Sequence, residues 1–178
     1  MKRPIEVHTE RCILREMRVS DAAFWYRFMN LGEVKRYVPD RIESEEQMID
    51  ILNWLVSNYD CDSLALKRLT LSVNLKDQAD VPVGWVTFGP LPEDESLREI
   101  GYAIQPSHWG QGLATESARG LVGYVREWIS KERLFATVDR GNVASIRVLE
   151  KIGMKRIGST RDKLPEPLPN HHLYEMGD

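Results

Sequence analysis

Residues 108–115, His-Trp-Gly-Gln-Gly-Leu-Ala-Thr, set two glycines, Gly110 and Gly112, between a strand-like run and a long amphipathic helix. Amides at a helix N-terminus lack intrahelical partners, and the helix dipole makes them attract anions. Glycines let such a loop bring those amides against a bulky phosphate without interference from a Cβ. The loop therefore points to a phosphate-bearing ligand, beside the plainer reading in which its glycines only shape a turn. A P-loop is excluded, because its GxxxxGK[ST] pattern needs a lysine that does not follow here. A dinucleotide fingerprint fits poorly, since Thr115 stands where its third glycine or alanine belongs.

Three further residues could do chemistry. In Arg98–Ile104, read as a strand, Ile100, Tyr102 and Ile104 point one way and can pack a core. Glu99, Gly101 and Ala103 point the other way, a face of small side chains beneath one carboxylate, with room for something thin to lie across it. Glu99 is a candidate base there, or else a surface carboxylate paired with Arg98 or another neighbour. Asn142 reads as the cap of a later helix. Ser145 falls among Ala144, Val148, Leu149 and Ile152 on the inward side of that helix, with Arg147, Glu150 and Lys151 outside. An inward hydroxyl must find a backbone group or a ligand.

The elements that position these groups can be read from spacing. Arg11–Glu16 is a first strand, and Ser20-Asp21 opens an aromatic helix over Ala22–Asn30. Ser44-Glu-Glu-Gln47 has capping-box form, and Met48, Ile51, Leu52 and Leu55 follow at helical spacing. Leu64–Val73 and Val83–Phe88 read as the two strands of a hairpin, and Pro90-Leu-Pro-Glu-Asp-Glu as a solvated loop. After the glycine loop, Ala118, Leu121, Val122, Val125, Trp128 and Ile129 define an amphipathic helix, with Lys131 and Arg133 near its end. Leu134–Asp139 is a strand, Val143–Ile152 a helix closed by Gly153, and Lys155–Ser159 a strand. Pro165, Pro167 and Pro169 stiffen a loop before a last strand around His172–Met176. Strands that cluster first and then alternate with helices predict an α+β fold, a mixed sheet flanked by helices, as one domain over 1–178.

Composition narrows the partners. The 178 residues are 42% hydrophobic and 29% charged, as in an ordinary globular protein large enough for one core. A net charge of −3 gives no electrostatic case for nucleic acid. Cys12 and Cys61 have no CxxC spacing, which argues against a disulfide framework or a zinc site. Of His8, His108, His171 and His172, the adjacent last pair suits strand alternation better than chelation, so no metal is expected. There is no apolar leader-like stretch and no run of membrane-spanning length, so a cytoplasmic protein without a membrane partner is expected.

Taken together, Glu99-Ile-Gly-Tyr-Ala-Ile-Gln-Pro-Ser-His-Trp-Gly-Gln-Gly-Leu-Ala-Thr-Glu116 and Asp139-Arg-Gly-Asn-Val-Ala-Ser-Ile-Arg-Val-Leu-Glu-Lys-Ile-Gly153 resemble the GNAT superfamily of N-acetyltransferases. Thr9-Glu-Arg-Cys-Ile-Leu-Arg15 and Ser20-Asp-Ala22 match its ribosomal-protein N-terminal acetyltransferase branch. The resemblance implies a splayed, mostly antiparallel mixed sheet with acetyl-CoA held in the opening between two parallel strands. By that match the segment from Trp109 and Gly110 to Ala114 carries the family's R/Q-x-x-G-x-G/A motif, with Trp109 where Arg or Gln is usual. The amides of Gln111, Gly112, Leu113, Ala114 and Thr115 would hold the pyrophosphate. The pantetheine arm would pair with backbone at Ala103 and Ile104, and Asn142 and Ser145 match contacts to that arm. Glu99 matches the base that frees the amine. Leu149 stands where many members carry an acidic tyrosine, leaving Ser145 as the nearest hydroxyl and Tyr174 as a remoter one. The implied activity is direct attack of a primary amine on the thioester in a ternary complex, by a monomer or homodimer. The amine would be a small molecule or a peptide N-terminus, entering between the first helices and the loop at Leu164–Asn170. The alternatives are a non-catalytic acyl-CoA sensor and, from the dinucleotide pattern, a nicotinamide enzyme.

Overall fold

A computed structural model of the chain describes residues 4–38, 41–59, 68–127 and 133–177. Its first strands are β1 (Glu6–His8) and β2 (Cys12–Glu16), which form a hairpin, followed by β3 (Leu69–Leu75), β4 (Pro82–Leu91) and β5 (Asp94–Ile104). These five run antiparallel in sequence order. β6 (Leu134–Asp139) then lies parallel to β5, while β7 (Lys155–Ser159) and β8 (His171–Met176) complete an eight-stranded sheet ordered β1-β2-β3-β4-β5-β6-β8-β7. The helices are α1 (Ala22–Met29), α2 (Gly32–Lys35), α3 (Glu45–Asn58), α4 (Leu113–Arg126), α5 (Val143–Lys151) and α6 (Thr160–Lys163). The expected mixed, mostly antiparallel sheet with flanking helices is therefore present.

The register explains why the sheet has one greasy and one polar side. Leu69 and Leu71 face Phe88 and Val86, which in turn face Ile100 and Tyr102, so one side is a continuous apolar surface. Leu14, opposite Val73, extends it. α4 packs on this side with Leu121 and Val125 fully buried, each contributing about 2 kcal/mol by the area it removes from water. Gly120 permits that approach, since a Cβ there would stand 2.7 Å from the Thr9 methyl and 3.3 Å from Leu14. The opposite side carries Thr70, Ser72, Trp85, Thr87 and Glu99, with Thr70 and Thr87 hydroxyls 3.0 Å apart. α1 and α3 cover it. Tyr59, at the end of α3, accepts from the Met17 amide and donates to the Thr70 carbonyl.

Several expectations need correction. Pro90–Glu95 is not a solvated loop: β4 continues through Leu91 and β5 begins at Asp94, leaving a tight turn. Leu91 is fully buried with Phe135, Leu164 and Leu173, and that burial outweighs the acidic neighbours, which remain at the turn. The strand expected over Leu64–Val73 is described from Leu69 and runs on to Leu75, because Asn74 and Leu75 pair with Ile13 and Cys12. Residues 64–67, like Cys61, Trp128, Ile129 and Lys131, lie outside the described residues. Asp21 precedes α1 but gives its carboxylate to Arg15 at 2.9 Å instead of to a helix amide. The Ser44 cap is present: Ser44 Oγ accepts from the Gln47 amide, and Gln47 Oε1 from the Glu43 amide. The short strand β1 and the single-turn helices α2 and α6 carry no periodicity long enough to read in advance.

Candidate active site

The glycine loop has the backbone its composition demands. Gly110 and Gly112 both lie in the left-handed region, at φ +76° and +80°, and Gly112 is the N-cap of α4. Its capping position has no side chain, so the first-turn amides of Leu113, Ala114 and Thr115 have no intrahelical acceptor. A Cβ on Gly110 would meet nothing within 4 Å, so the space over the loop is open. Trp109 is half exposed, and its indole N–H donates to the Ile104 carbonyl at 2.6 Å, which straps the loop to the end of β5.

The loop is also fixed from the far end of the chain, by residues that sequence reasoning passed over. Glu116, in the first turn of α4, accepts from Thr9 Oγ1 and the Arg11 amide, both at 2.6 Å, and from Arg11 Nε at 2.8 Å. The same guanidinium donates to the Gln111 carbonyl at 2.9 Å. Burial alone would push the Glu116 carboxyl up, but these hydrogen bonds overcome it and leave it below the usual carboxylate range. A lowered folded-state value means stabilisation that is present above the unfolded value of about 4.3 and lost as pH falls through the folded one. Glu116→Gln is therefore expected to cost about 2 kcal/mol at pH 7, a fall of roughly 4–8 °C in melting temperature. Thermal melts across pH should show that difference shrinking below pH ~4.

Among the described residues, β5 and β6 pair only where the middle of β5 meets the start of β6. Arg98 pairs with Leu134 and Glu99 with Phe135, and no later residue of β5 pairs with β6. The main-chain groups that Ala103, Ile104 and their neighbours turn away from β4 therefore face a widening gap. A cavity of about 860 Å³ passes through this region. Its polar-face wall is Arg68, Thr70, Thr87 and Glu99. α1 and α3 add Trp25, Met29, Met48 and Leu52, and Asn142, Ser145 and Leu149 close it from α5. Leu168 of the proline loop also lines it, so the first helices and that loop do bound the cavity. The glycine loop, Ala103 and Ile104 lie outside it, along β5.

Glu99 is a mostly buried carboxylate, not a surface one. Arg68 NH1 lies 3.2 Å from its Oε1, and Arg68 NH2 donates to the Pro90 carbonyl at 2.6 Å, so the guanidinium is itself held in place. The adjacent Arg98 donates to the Glu95 and Leu97 carbonyls. The face beside Glu99 is also less open than its small residues imply. Thr87 and Trp85 cover Gly101, where a Cβ would come within 3.0 Å of the Thr87 methyl. The room lies between the strands instead.

Asn142 caps α5, its Oδ1 accepting from the Ser145 amide at 3.1 Å. The turn before it is pinned by Asp139, which accepts from the Gly141 amide at 2.7 Å. Gly153 closes the helix at φ +96°. Ser145 finds its partner in Tyr102, whose hydroxyl is 2.9 Å from Ser145 Oγ and 3.0 Å from the Ser145 carbonyl. Tyr102 is thus not merely a core-packing residue. Leu149 is fully buried in the cavity wall, and Tyr174, on β8, does not line the cavity. Among the described residues no group of three or more His, Cys, Asp or Glu is placed to hold a metal ion, and no helix is long and apolar enough to cross a membrane.

Known proteins resemble this chain in sequence and in fold. Residues 11–155 match the family model described as an acetyltransferase (GNAT) domain. YoaA of Bacillus subtilis (strain 168), described as an uncharacterized N-acetyltransferase, is 30% identical over 87% of this chain and 85% of its own length. Mycobacterium smegmatis RimJ, solved in complex with CoA-disulfide, superposes with a TM-score of 0.76 at 21% identity, covering 99% of this chain and 90% of that one. RimL, a ribosomal L7/L12 alpha-N-protein acetyltransferase, gives a TM-score of 0.78 at 14% identity over 99% and 96%. The family match covers the glycine loop, the parted strands and the capped helix alike, and the chain belongs to the GNAT acetyltransferase family.

Proposed function

We propose that residues 1–178 act as one acetyl-CoA-dependent N-acetyltransferase domain, moving an acetyl group to a primary amine by direct attack in a ternary complex. One observation carries the reading: β5 and β6 part just after Glu99, with the open amides of α4 at one end and a cavity holding Glu99 and Ser145 at the other. The residues present suit the cofactor. The positive-φ glycines leave a cradle open to a diphosphate, and the unpaired edge of β5 offers main-chain partners to a pantetheine amide. RimJ, of like fold, was solved with a CoA derivative.

Bound acetyl-CoA supplies a thioester carbonyl open to an amine and a sulfur that leaves with the bonding electrons. This chain's residues do the rest. Amides from Gln111 to Thr115 hold the diphosphate, and Trp109 keeps their loop against β5. Ala103 and Ile104 align the arm, and Asn142 both caps α5 and faces it. An alkylammonium with a pKa near 10 must lose a proton before it can attack, and Glu99, through water, accepts it. Ser145, in the cavity wall, would offer its hydroxyl to the departing sulfur, Leu149 standing where many family members carry a tyrosine.

The acceptor is a small amine or a peptide N-terminus. RimL, named for a protein's α-amine, favours the second through fold alone. The test is thiol release by the purified protein from acetyl-CoA with a panel of amines and short peptides, products being identified by mass. Release that depends on acceptor is expected. Tight CoA binding without release for any amine would instead make the domain an acyl-CoA sensor.

A further inference from the structure

β5 carries two polar groups that matter to the cavity, and they lie on opposite sides of the sheet. Glu99 shares its side with Thr87 and Trp85; Tyr102, three positions on, faces the other way beside Val86. An amine approaching an acyl carbon from the Glu99 side would leave the other side of the cavity, where Tyr102 and Ser145 sit together, to the sulfur. The phenol has one hydrogen and two oxygens of Ser145 within reach, the carbonyl at 3.0 Å and Oγ at 2.9 Å. With the phenol donating to the carbonyl, the Ser145 hydrogen returns to the phenol oxygen. With the phenol donating to Oγ, the Ser145 hydrogen is released towards the cavity.

Resting on the acetyl-CoA reading above, we propose that Tyr102 is a positioning residue for the leaving sulfur, its phenol turning the Ser145 hydroxyl hydrogen onto that sulfur as negative charge collects there. Such a chain of donors is strengthened cooperatively when it ends on an anion. Glu99 first passes the ammonium proton on to solvent; in the transfer step the C–N bond forms, the C–S bond breaks with its electrons on sulfur, and the second amine proton passes through water to Glu99, leaving CoA as the thiolate. No proton leaves either hydroxyl. Burial pushes the Tyr102 phenol well above its ordinary value, so it keeps its hydrogen throughout the range in which a thiol near 8.5 titrates. The pair is therefore a hydrogen-bond donor and not an acid.

The test titrates the thiol of bound CoA by its ultraviolet thiolate absorbance, in the wild type and in Tyr102→Phe. The other charged groups lining the cavity, Arg41, Arg68, Glu93, Glu99, Asp139 and His171, are common to both and cancel in the comparison. The bound thiol is expected to titrate about one pH unit higher in the variant, a tenfold change in its ionisation constant. With an active acceptor, kcat should fall roughly tenfold while KM for acetyl-CoA moves less than threefold. Adding Tyr102→Phe to Ser145→Ala should cost nothing further. Should Tyr102→Phe not fold, Ser145→Ala alone must give the same thiol shift. Identical titrations in wild type and variant, or losses that multiply in the double variant, would overturn the proposal. A thiol shift between wild type and variant, with transfer to no amine by the wild type, would sink the enzymatic reading and still support the donor chain.

Discussion

Gly112→Val is expected to weaken CoA binding by about 100-fold, measured by calorimetric titration. Gly112 sits at φ +80°, where a residue with a Cβ costs roughly 1–2 kcal/mol and a β-branched one more. The new Cβ would already be in van der Waals contact with Arg11 NH2, at 3.6 Å, so the two methyls beyond it would crowd the guanidinium whose NH1 holds the Gln111 carbonyl. Relieving either conflict turns the amides of Leu113 and Ala114 away from the diphosphate, so the backbone cost and the lost hydrogen bonds compound. Together they reach about 2.8 kcal/mol, two decades in Kd. Gly110→Val, at φ +76° but with open space around its Cβ, should suffer only the backbone cost, about tenfold. Equal affinity of the Gly112 variant and the wild type would remove the diphosphate from this loop.

Glu99→Gln should lower kcat/KM by roughly 10²–10³-fold at pH 7 with an alkylamine acceptor, and leave CoA affinity in place. The amide keeps the volume and can still hydrogen-bond, so Arg68 retains a partner while the proton acceptor is lost. The sign of the pH dependence follows from the substrate. As pH climbs towards the amine's own pKa near 10, free amine is supplied by solution, and the deficit narrows. Acceptors of low pKa should likewise show a small loss. A pH–rate profile in which the two enzymes run parallel for every acceptor would place the base elsewhere.

What could be read in the sequence is what depends on short-range spacing. The 3.6-residue period of α4 as far as Arg126, the Asn142 cap and the turn made by the two glycines are local patterns, and the backbone shows each of them. The turn at residues 92–93 was missed because an acidic, proline-rich string resembles a loop unless the burial of Leu91 is known. The partners of the site residues were illegible for a different reason. Tyr102 and Ser145 are 43 positions apart, Arg68 and Glu99 31, and Arg11 and Glu116 105. Such meetings are set by strand register and by where helices land on the sheet, which no window of sequence contains. Arg68 had one faint signal, its parity with Thr70 and Ser72 on the polar side of β3.

Glu116 spends its acceptor capacity on the turn between β1 and β2, and Arg11 spends a donor on the Gln111 carbonyl. A tag, truncation or antibody that peels this outermost hairpin from the rim would therefore slacken the glycine loop as well. Impaired affinity after such handling would report mechanical coupling across the molecule, with every residue that grips the ligand still intact.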